Sequence, residues 1–488
     1  MAAHDAFEAQ PDPAKNAPLF DGLNHVVGAG RLEAAVFAHQ RRKEPLVQPD
    51  GKDENEFEKA IHAAKIRQPG TKNGGLYHTS LKFAITLPVT KAHCMNAGEN
   101  WLSEFPPVSK SEWTARMEKE LKGKPLADLN WHLDLDDHII TAPFYHPEDQ
   151  AGAPQPILRN NPDNDWEIGE YIEVQQMDKA NQEALEGLQG GVQAPLFQLG
   201  RSISDQDMAQ LLQGIDVSMI STHFGQYFPG KDPQRLLFQF HRAAQKQGAQ
   251  VAELKGSVDC DPILDWPEPP FDMQADMIRF TADVMPLFKV IQVNARRLHS
   301  GPENTAWELA YTIAKGSEYL AQMGLRGLDA ALVNRHLQFS LTVSASYFVE
   351  IAKLRALRIL WSNILASYGA NADAGCTVEV HLAPETQEKD PNTNLIKAAT
   401  QVMSAAIGGA DIIYVLPSNA SLLQPSDAFT RRMARNVQHI LKMESHLDRV
   451  QDPAAGSYYI ESLTDMLVQR AWALFQDVEA KGGYLMAG

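Results

Sequence analysis

His381 is the residue whose type and place in this chain most directly suggest chemistry. It stands near the end of the apolar run Thr377–Leu382, which reads as a strand. In parallel α/β folds the carboxyl ends of strands are where reacting groups collect. A lone histidine there can contact a ligand or hydrogen-bond the scaffold, and His381 is taken forward as a candidate substrate contact. The cysteines offer less. Cys94, Cys260 and Cys376 are far apart and form no CxxC pair, which points to a reducing compartment and to no zinc site. Gly28-Ala29-Gly30 runs on to Glu33, where a dinucleotide-binding turn needs its third glycine.

The elements that must position such groups are numerous. Over 488 residues, 44% of them hydrophobic, the chain can bury one large domain or two ordinary ones. Its formal net charge of −17 opposes nucleic-acid binding, which requires a cationic footprint to displace counterions. No apolar run approaches the ~18 residues of a membrane span. The first thirty residues carry Asp5, Glu8, Asp12 and Asp21 and no signal pattern, so a cytoplasmic protein is expected.

From Ala194 onward, short apolar runs alternate with helical ones. Strands are expected at Pro195–Leu199, Val217–Ile220, Ser257–Asp259, Lys289–Val293, Gln338–Ser344, Thr377–Leu382 and Asp411–Leu416, with Ser457–Ile460 as candidate for an eighth. Helices are expected over Trp307–Met323, Tyr347–Tyr368, Asn394–Ile407 and Ser462–Ala480, each closed by a following glycine. A further helix, capped by Ser426 or Asp427, would place Phe429, Met433, Val437, Ile440 and Leu441 on one apolar face. This alternation predicts a parallel sheet and a (β/α)8 TIM-type barrel. Upstream, Ser109 and Glu112 are spaced as a capping box ahead of Trp113, Met117 and Leu121, with Gly123 as the stop. Residues 1–94 show few periodic apolar stretches apart from Leu81–Leu87. They read as an extension able to be removed without loss of the fold, Met95 being a possible natural start. The expected organisation is an extension over 1–94, an amino-terminal helical and extended arm over 95–190, and the barrel over 191–488.

Several ordered motifs resemble the methylmalonyl-CoA mutase family of adenosylcobalamin-dependent isomerases. They are WLSEFPPVSKSEW from Trp101, WELAYTIAKGSEYL from Trp307, YFVEIAKLRALRILW from Tyr347, His381 followed by Lys389-Asp390-Pro391, and ARNVQHILKMESHLDRVQDPAAGSYYIE from Ala434. The resemblance runs from about Trp101 to Gly488 and implies the same barrel. It also implies where a working mutase would carry its chemistry, and there this chain departs. The family tyrosine that helps release the adenosyl group falls at Asn161, and the neighbouring Arg-Pro at Asn164-Asp165. The histidine that hydrogen-bonds the substrate thioester falls at Arg297, a permanent cation that cannot share a proton as imidazole does. A substrate-contacting glutamine falls at Asp259, in Gly256-Ser257-Val258-Asp259-Cys260-Asp261. A carboxylate there would oppose a substrate carboxylate by about 4 kcal/mol at ~4 Å in a partly screened site. The segment after it lacks the family's carboxylate-binding arginine.

The cobalt-binding D-x-H-x-x-G is also missing: Asp136-Asp137-His138 runs on to Thr141 and precedes the barrel. No cobalamin-binding flavodoxin-like domain is expected before the sequence stops at Gly488. The resemblance therefore implies a non-catalytic small subunit with no catalytic, cofactor-binding or metal residues of its own. Adenosylcobalamin would be held by a catalytic large subunit, and the arm from Trp101 to Asp149 would pack against that partner. Acyl-CoA remains a possible ligand of this barrel. The alternatives are a barrel subunit of another acyl-CoA mutase using a separate cobalamin chain, and a mutase-derived acyl-CoA-binding or scaffold protein.

Overall fold

Runs of alternating polar and apolar residues form the strands of a parallel sheet. The computed structural model describes residues 107–134, 138–149, 157, 163–422 and 426–487, in two units that meet between Gly123 and Lys124. In chain order the strands are β1 (Glu167–Val174), β2 (Ala194–Leu199), β3 (Ser221–Gln226), β4 (Lys255–Val258), β5 (Phe288–Lys289), β6 (Ile291–Asn294), β7 (Leu337–Val343), β8 (Thr377–Leu382) and β9 (Ile412–Tyr414). Their spatial order is β5-β4-β3-β2-β1-β9-β8-β7-β6, every pairing parallel. β5 and β6 are one strand broken at Val290, so the two edges of the sheet belong to the same stretch of chain and the sheet curls into a barrel. The expected TIM-type architecture is what forms.

Strand alternation sorts residues between two surfaces. Phe197, Phe224, Val293, Phe339, Leu341, Val378 and Val380 face outward and are buried in the main core beneath the helices. Inside the barrel, Ala194, Leu196, Ile412 and Tyr414 form a small apolar layer with Tyr171. Above it the inward positions are polar. The outer shell includes α1 (Met177–Gln189), α2 (Asp205–Leu211), α3 (Pro233–Lys246), α4 (Phe271–Val284), α5 (Thr305–Gly324), α6 (Tyr347–Ser367), α7 (Pro391–Ile407), α8 (Ala428–His439) and α9 (Tyr458–Ala480).

Three expectations are corrected. The barrel starts before residue 191: its first strand is Glu167–Val174, within the stretch assigned to the arm. Glu167, Glu170 and Glu173 disguise it as a surface segment, yet Glu167 accepts from the Ser221 hydroxyl at 2.8 Å and Glu170 pairs with Arg435 at 2.6 Å. Ser457–Ile460 is not a strand, because helix α9 begins at Tyr458 and buries Ile460, Leu463 and Leu467 at helical spacing. The third strand is Ser221–Gln226 rather than Val217–Ile220, since its inward residues are polar and the apolar signal lies in the turn before it.

Helix α8 buries only part of its expected apolar face: Leu441, just past its end, lies in the main core and Val437 packs against it. Asp427 caps it as expected, but the buried residues are Thr430, Arg431, Ala434, Arg435 and Gln438, while Phe429 is 55% exposed and Ile440 50% exposed. The polar face wins because Arg431 and Arg435 reach Glu170 on β1, and Gln438 accepts from the Trp166 indole N–H at 3.3 Å. A buried carboxylate left without those cations would cost more than a few half-exposed apolar side chains.

The first unit is described by its helix Lys110–Glu120. The Ser109/Glu112 capping box forms, no residue of the helix is buried, and Gly123 follows at φ +88°. In the second unit a hairpin pairs Trp131–His132 with Ile140–Thr141, and the chain then turns so that the Ala142 N–H donates to the Tyr145 hydroxyl at 3.3 Å. The Tyr145 ring meets Tyr459 of α9 edge-on at 5.8 Å. The extension over 1–94, with Leu81–Leu87 and Met95, lies outside the described residues.

Candidate functional site

The carboxyl ends of the strands open into a cavity of about 810 Å³. Asp259, Arg297 and His381, distant in sequence, all line it, whereas Asn161 lies outside the described residues. Asn164 next to it is fully buried and structural, its amide donating to Ala406 O at 2.9 Å and Leu447 O at 2.8 Å.

His381 points into the barrel from β8 and is 3% exposed. Its ring stacks on Tyr414 with centroids 4.9 Å apart. Both nitrogens are taken: Nε2 is 3.1 Å from Glu379 Oε1, and Nδ1 is 2.7 Å from the Tyr171 hydroxyl. Glu379 also accepts the side-chain amides of Gln292 at 2.6 Å and Gln338 at 3.1 Å. Burial alone would raise the Glu379 carboxyl, but the His381 hydrogen bond and the charges of His381 and Arg296 outweigh it and hold it at about 2. For His381, burial and then Arg296 outweigh Glu379, pushing the imidazole down to about 4. At neutral pH Glu379 is therefore charged and His381 neutral, with Nε2–H donating to Glu379 and Nδ1 accepting from Tyr171. The ring carbons of His381 should consequently show no titration between about pH 5.5 and 8. An NMR midpoint above about 6 would contradict this arrangement.

Asp259 joins the same network, its Oδ1 accepting from Gln292 at 2.8 Å. Burial, with Glu379 nearby, raises its carboxyl well above the usual range despite Arg296 and Lys231. Burial first, and the Glu379 carboxylate second, thus set it apart from the freely ionised carboxylate expected from sequence. Arg297 is exposed at the rim. Its neighbour Arg296 is half-buried, with Nε 3.3 Å from Asn294 Oδ1. Burial works against the charge of Arg296, but Tyr227, Asp259 and Glu379 outweigh it and keep the group protonated.

Sequence reasoning missed Arg296, Gln292, Glu379, Tyr171 and Tyr227. A signal existed for two of them. In Thr377-Val378-Glu379-Val380-His381, Glu379 shares the face of His381, and in Ile291-Gln292-Val293-Asn294 the polar residues alternate with the core-facing ones.

His299, the other imidazole lining the mouth, has Nδ1 3.0 Å from Glu308 and Nε2 3.4 Å from Glu385. No imidazole lining the cavity offers a free ring nitrogen, so these residues do not fit axial ligation of a cobalt ion. Among the described residues there is also no cluster of His, Cys, Asp and Glu suited to a metal, and no helix long and apolar enough to cross a membrane.

Fold and cavity define a (β/α)8 barrel with a polar interior and a ligand-sized mouth. Residues 166–487 match the methylmalonyl-CoA mutase family model, and the chain belongs to that family. It is 34% identical over 418 residues to the methylmalonyl-CoA mutase small subunit of Porphyromonas gingivalis, covering 80% of this chain and 66% of that one. It is 31% identical to the methylmalonyl-CoA mutase of Cereibacter sphaeroides, covering 77% of this chain and 59% of the relative. Over 58% of its length, and 41% of the relative's, it is 31% identical to the mutase large subunit of Porphyromonas gingivalis. The chain thus spans less than two thirds of the length of these curated relatives.

Proposed function

We propose that this chain is the non-catalytic small subunit of a two-chain, adenosylcobalamin-dependent methylmalonyl-CoA mutase. Its partner is a larger chain that holds the cofactor and interconverts methylmalonyl-CoA and succinyl-CoA, within a cytoplasmic heterodimer. The observation that carries this reading is the state of the mouth: every imidazole lining it is committed to the scaffold. Where the resemblance implies a thioester-contacting histidine and glutamine, this chain has Arg297, beside inward Arg296, and Asp259. Such a site has no neutral donor poised to share a proton with a thioester carbonyl through imidazole. No catalytic residue is assigned to the chain, and His381 would meet any acyl-CoA through its ring face.

The outer surface supports a partner. Trp131 is 46% exposed, Phe144 47% and Phe348 51%, beside the Tyr145–Tyr459 contact. Large aromatic side chains exposed together are common at protein interfaces. The test is co-expression of the full chain with a catalytic large subunit, together with titration of adenosylcobalamin into the chain alone. The expected results are a co-eluting 1:1 complex, no saturable change in the cobalamin absorption spectrum, and no turnover by the isolated chain. Independent migration of the two chains at low salt, or isomerisation by this chain alone, would overturn the reading.

A further inference from the structure

Tyr171 is unlike the other tyrosines packed inside this protein. Its hydroxyl stands 2.7 Å from His381 Nδ1, well within reach of proton transfer. Glu379 takes the opposite ring nitrogen at 3.1 Å, so Nε2 carries the hydrogen and Nδ1 keeps its lone pair. The side-chain amides of Gln292 and Gln338 also donate to Glu379, which leaves that carboxylate acting as an acceptor. Phenol, imidazole and carboxylate thus stand in line, and a proton leaving Tyr171 has a base waiting for it. The carboxylate behind the ring fixes its tautomer and would stabilise the imidazolium.

Two other tyrosines supply the contrast. Tyr414 stacks on the same His381 ring at 4.9 Å and lies 5.4 Å from Tyr171, yet its buried hydroxyl has no partner. Tyr319 donates to Asp261 at 2.6 Å, but Lys315 and the Asn294 N–H bind the same carboxylate and weaken it as a base. Of the three, Tyr171 alone couples a phenol to a basic lone pair. It also lines the cavity, so an electron acceptor there meets it without a long path through protein.

We propose that Tyr171 is a redox-active tyrosine, giving one electron to an outer-sphere one-electron oxidant in the cavity while its hydroxyl proton passes to His381 Nδ1. The oxidant is reduced by one electron, the phenol O–H bond breaks, and a neutral phenoxyl radical and an imidazolium remain. Nε2–H stays on Glu379, so the new positive charge rests against a buried carboxylate. The groups facing Tyr171 are Arg296, Tyr227, Glu379 and Asp259. Arg296 opposes the added charge, and Glu379, in direct contact with the ring that carries it, offsets that repulsion. Burial raises the Tyr171 phenol above its ordinary value, so the proton does not leave ahead of the electron. Re-reduction returns the proton from His381, and the step is reversible. It needs neither cobalamin, acyl-CoA nor a second chain, so it stands or falls separately from the heterodimer.

Photogenerated ruthenium(III) tris-bipyridine is a suitable oxidant for the full chain at neutral pH. Electron paramagnetic resonance on protein grown with ring-deuterated tyrosine separates tyrosyl from tryptophanyl radicals, and transient absorption follows their decay. A long-lived tyrosyl radical is expected, formed more slowly in heavy water. Tyr171→Phe should cut its yield at least about tenfold, the worth of one hydrogen bond to a charged group, while Tyr414→Phe stays within about threefold. His381→Phe keeps an aromatic ring at the stack, removes the base, and should behave as Tyr171→Phe does. Melting curves separate loss of the site from loss of the fold, and either variant carries the test if the other unfolds. An unchanged yield in folded Tyr171→Phe or His381→Phe would overturn the proposal. So would an equal loss in Tyr414→Phe, or the absence of a long-lived tyrosyl radical in the native chain.

Discussion

Lys353→Met should destabilise the barrel by about 3–5 kcal/mol, the cost of stranding buried charge. The Lys353 side chain is fully buried on α6, its Nζ 2.7 Å from Glu350 Oε2, 3.2 Å from Glu308 Oε1 and 2.7 Å from Thr342 O. Both carboxylates are 1% exposed, and Glu350 also accepts from the Ser344 N–H at 3.0 Å. One amine thus ties helices α5 and α6 to the end of β7. Burial works against its charge, but Glu308 and Glu350 outweigh burial and raise its pKa above the ordinary value. The sign follows from that shift. A raised lysine stabilises fully below its unfolded pKa of about 10.4, and the contribution fades as pH rises through the higher folded value. Urea unfolding at neutral pH measures the loss, and a change below about 1 kcal/mol would refute the account. Converting Glu308 and Glu350 to glutamine in the same variant should restore much of the stability, because no buried charge is then left unpaired.

The barrel was legible from the alternation of apolar runs with helices, and Thr377–Leu382 was read to the residue. What escaped was the strand with its charges turned to buried partners. Glu167, Glu170 and Glu173 hide β1 because sequence displays the acids but not Ser221 or Arg435, which lie tens to hundreds of positions away. Helix α8 departs in part for the related reason that buried Arg431 and Arg435 compete for its inner side, so Phe429 and Ile440 stay exposed while Val437 and Leu441 meet the core. The site shows the same limit at finer scale. Asp259, Arg297 and His381 were found as separate letters and do line one cavity. Their electrostatics were not readable, since burial and Glu379 raise the Asp259 carboxyl while His381 and Arg296 hold Glu379 low. The half-buried guanidinium is Arg296, one position from the residue singled out, while Arg297 lines the same cavity at its exposed rim.

Gly256→Ala should abolish or nearly abolish folding, with a loss of at least about 4 kcal/mol. Gly256 lies in β4 at φ +132°, directly opposite Thr222 of β3. A Cβ there would stand 1.9 Å from Thr222 O and 2.6 Å from its carbonyl carbon. Those atoms are backbone of a neighbouring strand, so no rotamer change can relieve the overlap, and separating the strands would break the ladder that carries Ser257 and Asp259 to the mouth. Left-handed backbone alone is a smaller effect. Gly214, also at positive φ (+74°), has no atom within 4 Å of its would-be Cβ, so Gly214→Ala isolates the conformational term at about 1–2 kcal/mol. Denaturation of the two variants side by side tests the distinction. If Gly256→Ala melts within a few degrees of Gly214→Ala, the close approach of β3 and β4 is not what demands glycine. The expected result is a soluble, cooperatively folding Gly214→Ala protein and a Gly256→Ala protein with no cooperative transition.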